Sequence, residues 1–411
     1  MNGTTTLRDP LDIMVQLLSY EGKQNPYPLY EEMRAHGPLV DVGGAHVFVT
    51  GHAECAKALR EPALLLSTDD AVQDQRLPGW REHASWRWLT RNMLFSNDPR
   101  HERLRRFFGN AFSAQRVVAL REMVDRLSTD AVEHLAQAGA DGGTVDLVGE
   151  FSFRYAIGVI GELLGIPPED QPGMRADIGA ITLALDPIGD LGVLVPGDQA
   201  MERFAEYFYA LVARLRAAPG PDMTSGWIRA MGDGGEITEE ELVANLMLLL
   251  VAATEAPMDL ISNTVRLAVE HPDHHDGLRT DPEFTAGFVD ESFRFDPAVQ
   301  ALNRVASRDF EFFGLPVAQG TPLTLLIAAG NRDPRRFTDP GVFDPTRRDN
   351  QPLTLSAGSH YCLGAALARM SVESMLPRLF DRLPGLALAK GASFRDQIVQ
   401  RGHDRLPVTV K

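Results

Sequence analysis

The sequence predicts a mainly α-helical fold with a minor β-sheet region, and three observations carry that prediction. Between about residues 95 and 295, stretches such as AFSAQRVVALREMVDRLSTDAVEHLAQA and SFRYAIGVIGELLGI repeat apolar residues every three or four positions, the period of a half-buried helix. Runs of β type are confined to PLVDVGGAHVFVTG near the start, FEFFGLPVAQGTPLTLLIAAG at 310 to 330 and RLPVTVK at the end. No Ser/Gly linker, internal repeat or low-complexity tract offers a place to cut, so 1–411 reads as a single domain around one large core.

The longest helix is expected to open at Thr238, where TEEE provides a capping box with Glu241, and to stop at His271-Pro272. At 1.5 Å per residue it would be roughly 45 to 50 Å long. Its apolar stretch LVANLMLLLVAA, at 242 to 253, is interrupted by Asn245 and is shorter than a membrane span, so it reads as a buried helix. The middle, LLLVAATEAPMDLI, places Glu255 and Pro257 among apolar neighbours. A buried carboxylate and a helix-interior proline are each costly, so chemistry is to be sought there.

A net charge of -16 argues against nucleic acid and anionic membranes as partners, since both attract basic surfaces. The start, MNGTTTLRDPLDIM, has no basic segment followed by an apolar one, and the chain has only two cysteines; both features point to the cytoplasm. HPDHH at 271 to 275 falls at a helix end, GDGG at 232 to 235 reads as a turn, and Cys55 reads as a small buried residue.

The other cysteine, Cys362, sits in LSAGSHYCLG, with a histidine two places before it and a glycine two places after. Zinc sites and disulfides need company that Cys55, some three hundred residues upstream, does not supply in any recognisable spacing. A single thiolate ligand to an iron held mostly by a porphyrin does make sense of the flanks. LGAALARMSVESMLPRLF reads as a helix starting just after the cysteine, whose first amides favour thiolate over thiol. Gly364 leaves room for a flat ring, and Gly358 supports the turn that presents the sulfur.

SAGSHYCLG, together with ESFR at 291 to 294, resembles the cytochromes P450. The family pattern Phe-Gly-x-Gly-x-His-x-Cys-x-Gly is met at Gly358, His360, Cys362 and Gly364, while Leu355 and Ser356 replace its first two residues. The resemblance implies the cytochrome P450 fold, a haem b (iron protoporphyrin IX) with Cys362 as axial ligand, and a structural network in which Glu291 and Arg294 hold a downstream arginine, best matched by Arg347. It also implies His101 and Arg105 in NDPRHERLRRFFGNAF, Arg304 in LNRVAS, and His360 as partners of the haem propionates. The family usually follows its mid-helix acid with threonine; here TEAP has Thr254, Glu255 and Ala256, so the acid is kept and the hydroxyl is lost. Pro257, which has no N–H for the Ala253 carbonyl, is expected to open the helix at this point.

The implied activity is oxidation of a small organic molecule in secondary-metabolite biosynthesis: C–H hydroxylation using O2. No flavin or nicotinamide module is recognisable in the sequence, so electrons are expected from a ferredoxin and its ferredoxin reductase. A basic patch drawn from Arg103, Arg106, Arg335, Arg336 and Arg369 would receive the ferredoxin. By resemblance the substrate pocket draws on Trp86, Trp88, Leu185, Leu249, Ala252, Val299, Leu302 and Val399, and the substrate is free or tethered to a carrier protein. Two alternatives stand beside hydroxylation: oxidative cyclisation, aryl coupling or desaturation without oxygen insertion, and a haem-thiolate protein that binds ligands without turnover.

Overall fold

A computed structural model describes residues 7–66, 74, 78–186, 191–232 and 236–410. Eight helices matter below: α1 (Ala84–Leu89), α2 (Arg100–Gly109), α3 (Arg121–Ala138), α4 (Arg154–Leu164), α5 (Val195–Ala217), α6 (Glu239–Glu270), α7 (Pro282–Phe295) and α8 (Ala365–Arg382). Five strands form the largest sheet: β1 (Leu39–Asp41), β2 (Val47–Val49), β3 (Leu64–Leu65), β4 (Leu302–Ala306) and β5 (Pro322–Leu325), in the order β1-β2-β5-β4-β3.

The chain gathers into two compact units, each assembled from discontinuous stretches, which is why no linker is visible in the sequence. The first comprises Met1–Ser67, Ala286–Cys362 and Ala392–Asp404 and contains the five-stranded sheet. Within it β2 runs parallel to β5, with Val47 opposite Leu323, and the other neighbours are antiparallel. Val47, Val49, Leu323 and Leu325 meet Cys55, Leu59 and Ile327 in one core cluster. Cys55 is fully enclosed there, and burial pushes its thiol pKa up. The apolar run ending LIAAG does not stay extended: Ile327–Gly330 turn into a short helix. β4 has no clear sequence signal, because Asn303 and Arg304 interrupt its apolar pattern.

The second unit comprises Thr68–Thr285, Leu363–Gly391 and Arg405–Lys411 and is mostly helical. A three-stranded antiparallel sheet of Thr144–Asp146, Pro407–Thr409 and Ala387–Leu388 belongs to it. α6 begins at a complete capping box: Glu241 N–H donates to Thr238 Oγ1, and Thr238 N–H donates to Glu241 Oε2, both at 3.1 Å. It ends at a His271 cap and spans 32 residues, about 48 Å. By length and composition it could cross a membrane, but 72% of its most apolar window is buried inside the protein. The expected opening at Pro257 is absent, and the helix runs through the proline without a break. Burial of Leu249, Leu250, Met258 and Leu260 on either side holds it together, while the Ala253 carbonyl still lacks the amide that proline cannot offer. Of GDGG, residues 233–235 lie outside the described residues.

Candidate active site

In the first unit, the cysteine loop is pinned by backbone bonds. Cys362 N–H donates to the Leu355 carbonyl at 2.8 Å, Ser356 N–H to Leu353 at 2.8 Å, and Tyr361 N–H to Gly358 at 3.1 Å. Gly358 has φ +69°, and a Cβ there would lie 2.7 Å from the Leu59 carbonyl oxygen, so only glycine fits. Ser356, standing where the family pattern has glycine, also has positive φ, at 63°. A side chain in that region costs roughly 1 to 2 kcal/mol. Cys362 is half-buried and not in a disulfide, His360 closes the 3-10 turn Gly358–His360, and α8 starts three residues after Cys362 along the chain. A Cβ on Gly364 would meet no heavy atom within 4 Å.

Arg304, on β4, is only 5% exposed. Its guanidinium donates to the Asn303 carbonyl at 2.8 Å, and burial, with no offsetting carboxylate among the described residues, pulls its pKa down to about 10. A buried cation in this state wants an anion. Nearby, Val299 pairs antiparallel with Gln400, and Gln300 N–H donates to the Val399 carbonyl at 2.8 Å, so Val299 and Val399 lie on neighbouring segments of one ribbon; Leu302 is half-buried on β4.

Glu291, Arg294 and Arg347 also meet in this unit. The Arg294 Nη2 and Nε atoms donate to Glu291 Oε1 and Oε2 at 2.6 and 2.8 Å, with both side chains 0% exposed. Arg347 Nε lies 3.4 Å from Glu291 Oε2. Backbone Asp344 N–H and the Asn350 amide complete the carboxylate at 2.9 and 3.0 Å. Arg294 spends its remaining donors on the carbonyls of Asn331, Pro340 and Val342. The Glu291 carboxylate and the Arg294 guanidinium are thus engaged wholly by protein groups, while Arg347 Nε and Asn350 Oδ1 make no hydrogen bond among the described residues; a buried pair closed on protein in this way fits a structural lock.

In the second unit, His101 and Arg105 share a face of α2, one turn apart. His101 is buried with Nδ1 3.2 Å from Asp98 Oδ1, and burial lowers its pKa despite that carboxylate. From Glu241 to Val265 every residue of α6 is buried except Leu248, Ala252, Ala253, Ala256 and Pro257. At 100° per residue these five line one face, made almost wholly of small side chains. Glu255, 4% exposed, falls two turns beyond Leu248, at the edge of that face. Thr254 projects from the opposite side, and its hydroxyl donates to the Leu250 carbonyl at 2.7 Å, so it does not replace the hydroxyl missing at 256. Leu249, one turn before Ala253, falls within the arc of that face but is buried, and Trp86 and Trp88 are half-buried on α1, with Trp88 against Tyr209 at 6.4 Å between ring centroids. The Leu185 side chain lies outside the described residues.

The expected basic patch needs correction. Arg103 is paired with Glu241 at 2.6 Å, Arg106 with Glu236 at 3.0 Å, Arg335 with both Glu54 and Asp333 at 2.7 and 2.8 Å, and Arg336 with Asp349 at 2.8 Å. Four of the five arginines are thus neutralised locally, which their spacing along the chain could not reveal.

Within the first unit, a cysteine presented at a pinned turn and a buried arginine with no carboxylate beside it among the described residues suit the iron and a propionate of a haem. The comparisons decide the matter: the family model for Cytochrome P450 matches residues 7–164 and 213–384. The chain is a cytochrome P450. It is 30% identical to the biotin biosynthesis cytochrome P450 of Bacillus subtilis over 400 residues, covering 95% of this chain and 98% of that one. The crystal structure of P450BioI in complex with an acyl carrier protein ligated to hexadec-9Z-enoic acid superposes with a TM-score of 0.85 at 29% identity, over 95% of this chain and 100% of that one. CxnD, a P450 for C–S bond formation in chuangxinmycin biosynthesis, superposes with a TM-score of 0.80 at 28% identity, over 94% of each chain. As a member of this family the protein is an oxidoreductase of the monooxygenase class that uses haem-thiolate and external redox partners. When bound, the haem supplies oxygen activation, with the thiolate donating electron density to the iron. Within the first unit, Cys362 would hold the iron and Arg304 and His360 the propionates of a bound haem; within the second, Glu255 stands at the edge of the open face of α6.

Proposed function

We propose that this P450 acts in the cytoplasm on a small organic molecule of secondary metabolism, using haem b, O2, and electrons passed from a ferredoxin reductase through a ferredoxin. The reaction favoured is C–H hydroxylation. The observation that carries it is the buried Glu255 at the edge of the small-residue face of α6: a carboxylate kept there despite its desolvation cost suits delivery of protons, which oxygen insertion consumes. A carrier-tethered acyl chain is one substrate class to try first, since a structural relative binds an acyl carrier protein.

A second reading, oxidative bond formation or desaturation without oxygen insertion, is favoured by Ala256. Loss of the hydroxyl that usually helps order water makes proton delivery depend on the substrate, and another structural relative forms a C–S bond. The deciding experiment is turnover with a surrogate ferredoxin and ferredoxin reductase, offering free acids and the same acids loaded on a carrier protein. Products heavier by one oxygen support hydroxylation, and products lighter by two hydrogens support the second reading. Electrons and O2 consumed without an organic product would be uncoupled reduction of O2 and would exclude the acids offered as substrates.

A further inference from the structure

One carboxylate in the second unit is used in a way that neither the family pattern nor the chain's local sequence announces. Asp198, in the first turn of α5, receives three hydrogen bonds from the segment that starts α1. Its Oδ1 accepts from Ser85 N–H at 2.8 Å and from Ser85 Oγ at 2.6 Å, and its Oδ2 lies 2.6 Å from His83 Nδ1. The residues stand 113 and 115 positions apart in the chain. Ser85 is fully buried, and the His83 and Asp198 side chains are 17% and 20% exposed, so this contact is shielded from solvent.

α1 needs it. A helix of six residues does not hold itself together, and the His83 side chain at its N-cap position makes no capping bond. The orphan amide of Ser85 is capped instead from another helix, by Asp198. The next rung, Arg87 to Glu202 at 2.8 Å, is 43% and 53% exposed and adds little. Beside the apolar packing of Ala84 and Leu89 and the Trp88–Tyr209 contact, the shielded polar hold on α1, with Trp86 and Trp88 on it, is therefore the Asp198 carboxylate.

We propose that Asp198 is a positioning residue of this P450: by capping α1 it sets where Trp86 and Trp88 stand, and its hold must loosen for a bulky ligand to enter. This rests on the reading above that α1 forms part of the substrate pocket. The test uses the haem-loaded protein and two probes that need no knowledge of the substrate, 4-phenylimidazole as a bulky ligand of the ferric iron and carbon monoxide as a small ligand of the ferrous iron. Association rates are followed by stopped-flow absorbance in wild type, Asp198→Asn and Asp198→Ala, together with hydrogen exchange of the amides of residues 84–89.

Asp198→Ala should take up 4-phenylimidazole about tenfold faster or more, the equivalent of one charge-assisted hydrogen bond. Carbon monoxide uptake should change less than about twofold, because a small ligand does not need α1 to move. Asp198→Asn, which keeps an oxygen for Ser85 but loses the second carboxylate oxygen facing His83, should fall between. Exchange should rise in residues 84–89 of α1 before it rises in α5. If Asp198→Ala does not fold, Ser85→Ala and His83→Gln must show the same selective acceleration. Unchanged exchange in 84–89 overturns the capping role itself. Raised exchange with equal effects on both probes, or with no effect on 4-phenylimidazole, shows instead that α1 does not guard the pocket, and the positioning role falls with that reading.

Discussion

Replacing Glu291 with alanine removes the acceptor around which the first unit's largest buried charge is organised. Arg294 is 0% exposed and gives two donors to that carboxylate, at 2.6 and 2.8 Å. Its three carbonyl contacts survive the substitution but carry no formal charge. Stranding a buried guanidinium in this way costs about 3 to 5 kcal/mol. The amide of Asp344 loses its acceptor as well, and leaving a buried donor unmade costs about 1 to 3 kcal/mol if no water reaches it. Against a total stability of about 5 to 15 kcal/mol, the first term alone removes roughly a fifth or more of the margin. The expected result is little soluble, haem-loaded protein, and a much lower urea midpoint for whatever is recovered. Arg126→Ala is the control, because the Arg126–Glu162 pair at 2.5 Å is 51% and 46% exposed and such pairs contribute about 0 to 1 kcal/mol. Haem content from the reduced carbon monoxide spectrum and unfolding by circular dichroism read both variants. A Glu291→Ala protein with full haem content and a wild-type midpoint but no turnover would refute the argument, since the carboxylate would then be chemical rather than structural.

The axial ligand is tested by Cys362→Ala and Cys362→His, each of which should abolish the strongly red-shifted Soret band of the reduced carbon monoxide complex; survival of that band in Cys362→Ala would remove Cys362 as ligand. Ala256→Thr restores the hydroxyl beside Glu255 and should raise product formed per electron when the substrate lacks its own nearby polar group, with little change for the native substrate. Equal coupling for both proteins with both substrates would mean that position 256 has no part in proton supply. Glu241 gives a pH prediction: burial acts to raise its pKa, but hydrogen bonds from Arg103 and from the Thr238 amide outweigh that, so the net shift is downward from 4.5. A carboxylate whose folded pKa is depressed stabilises the fold fully above its unfolded value and loses that contribution as pH falls through the folded one. Glu241→Gln should therefore melt below wild type at pH 7, and the gap should close as pH drops below 4.5; a gap constant from pH 7 to pH 3.5 would show that charge is not what Glu241 contributes.

What could be read in the sequence was whatever rests on near neighbours. Thr238 and Glu241 are three apart, so the start of α6 was legible, and a stop at His271-Pro272 marked its end. The cysteine loop was legible because its glycines answer to local backbone needs, as the 2.7 Å approach at Gly358 makes plain. Pro257 is the local rule that failed: about 3 kcal/mol of helix penalty is smaller than the packing of the long apolar stretches on either side of it, and the sequence alone does not say how much of α6 will be buried. Charges were the least legible of all. Arg335 looks like a free basic residue until Glu54, 281 positions away, folds beside it. Arg304 gave the opposite lesson, because nothing in LNRVAS distinguishes it from a solvated arginine. Only in the fold is it buried with no carboxylate beside it among the described residues, its pKa depressed to about 10. Arg335 and Arg304 differ not in residue type but in whether the protein supplies the anion. A buried cation in that state is best satisfied by a bound anion, and for this chain we propose the propionates of the haem whose iron Cys362 would hold.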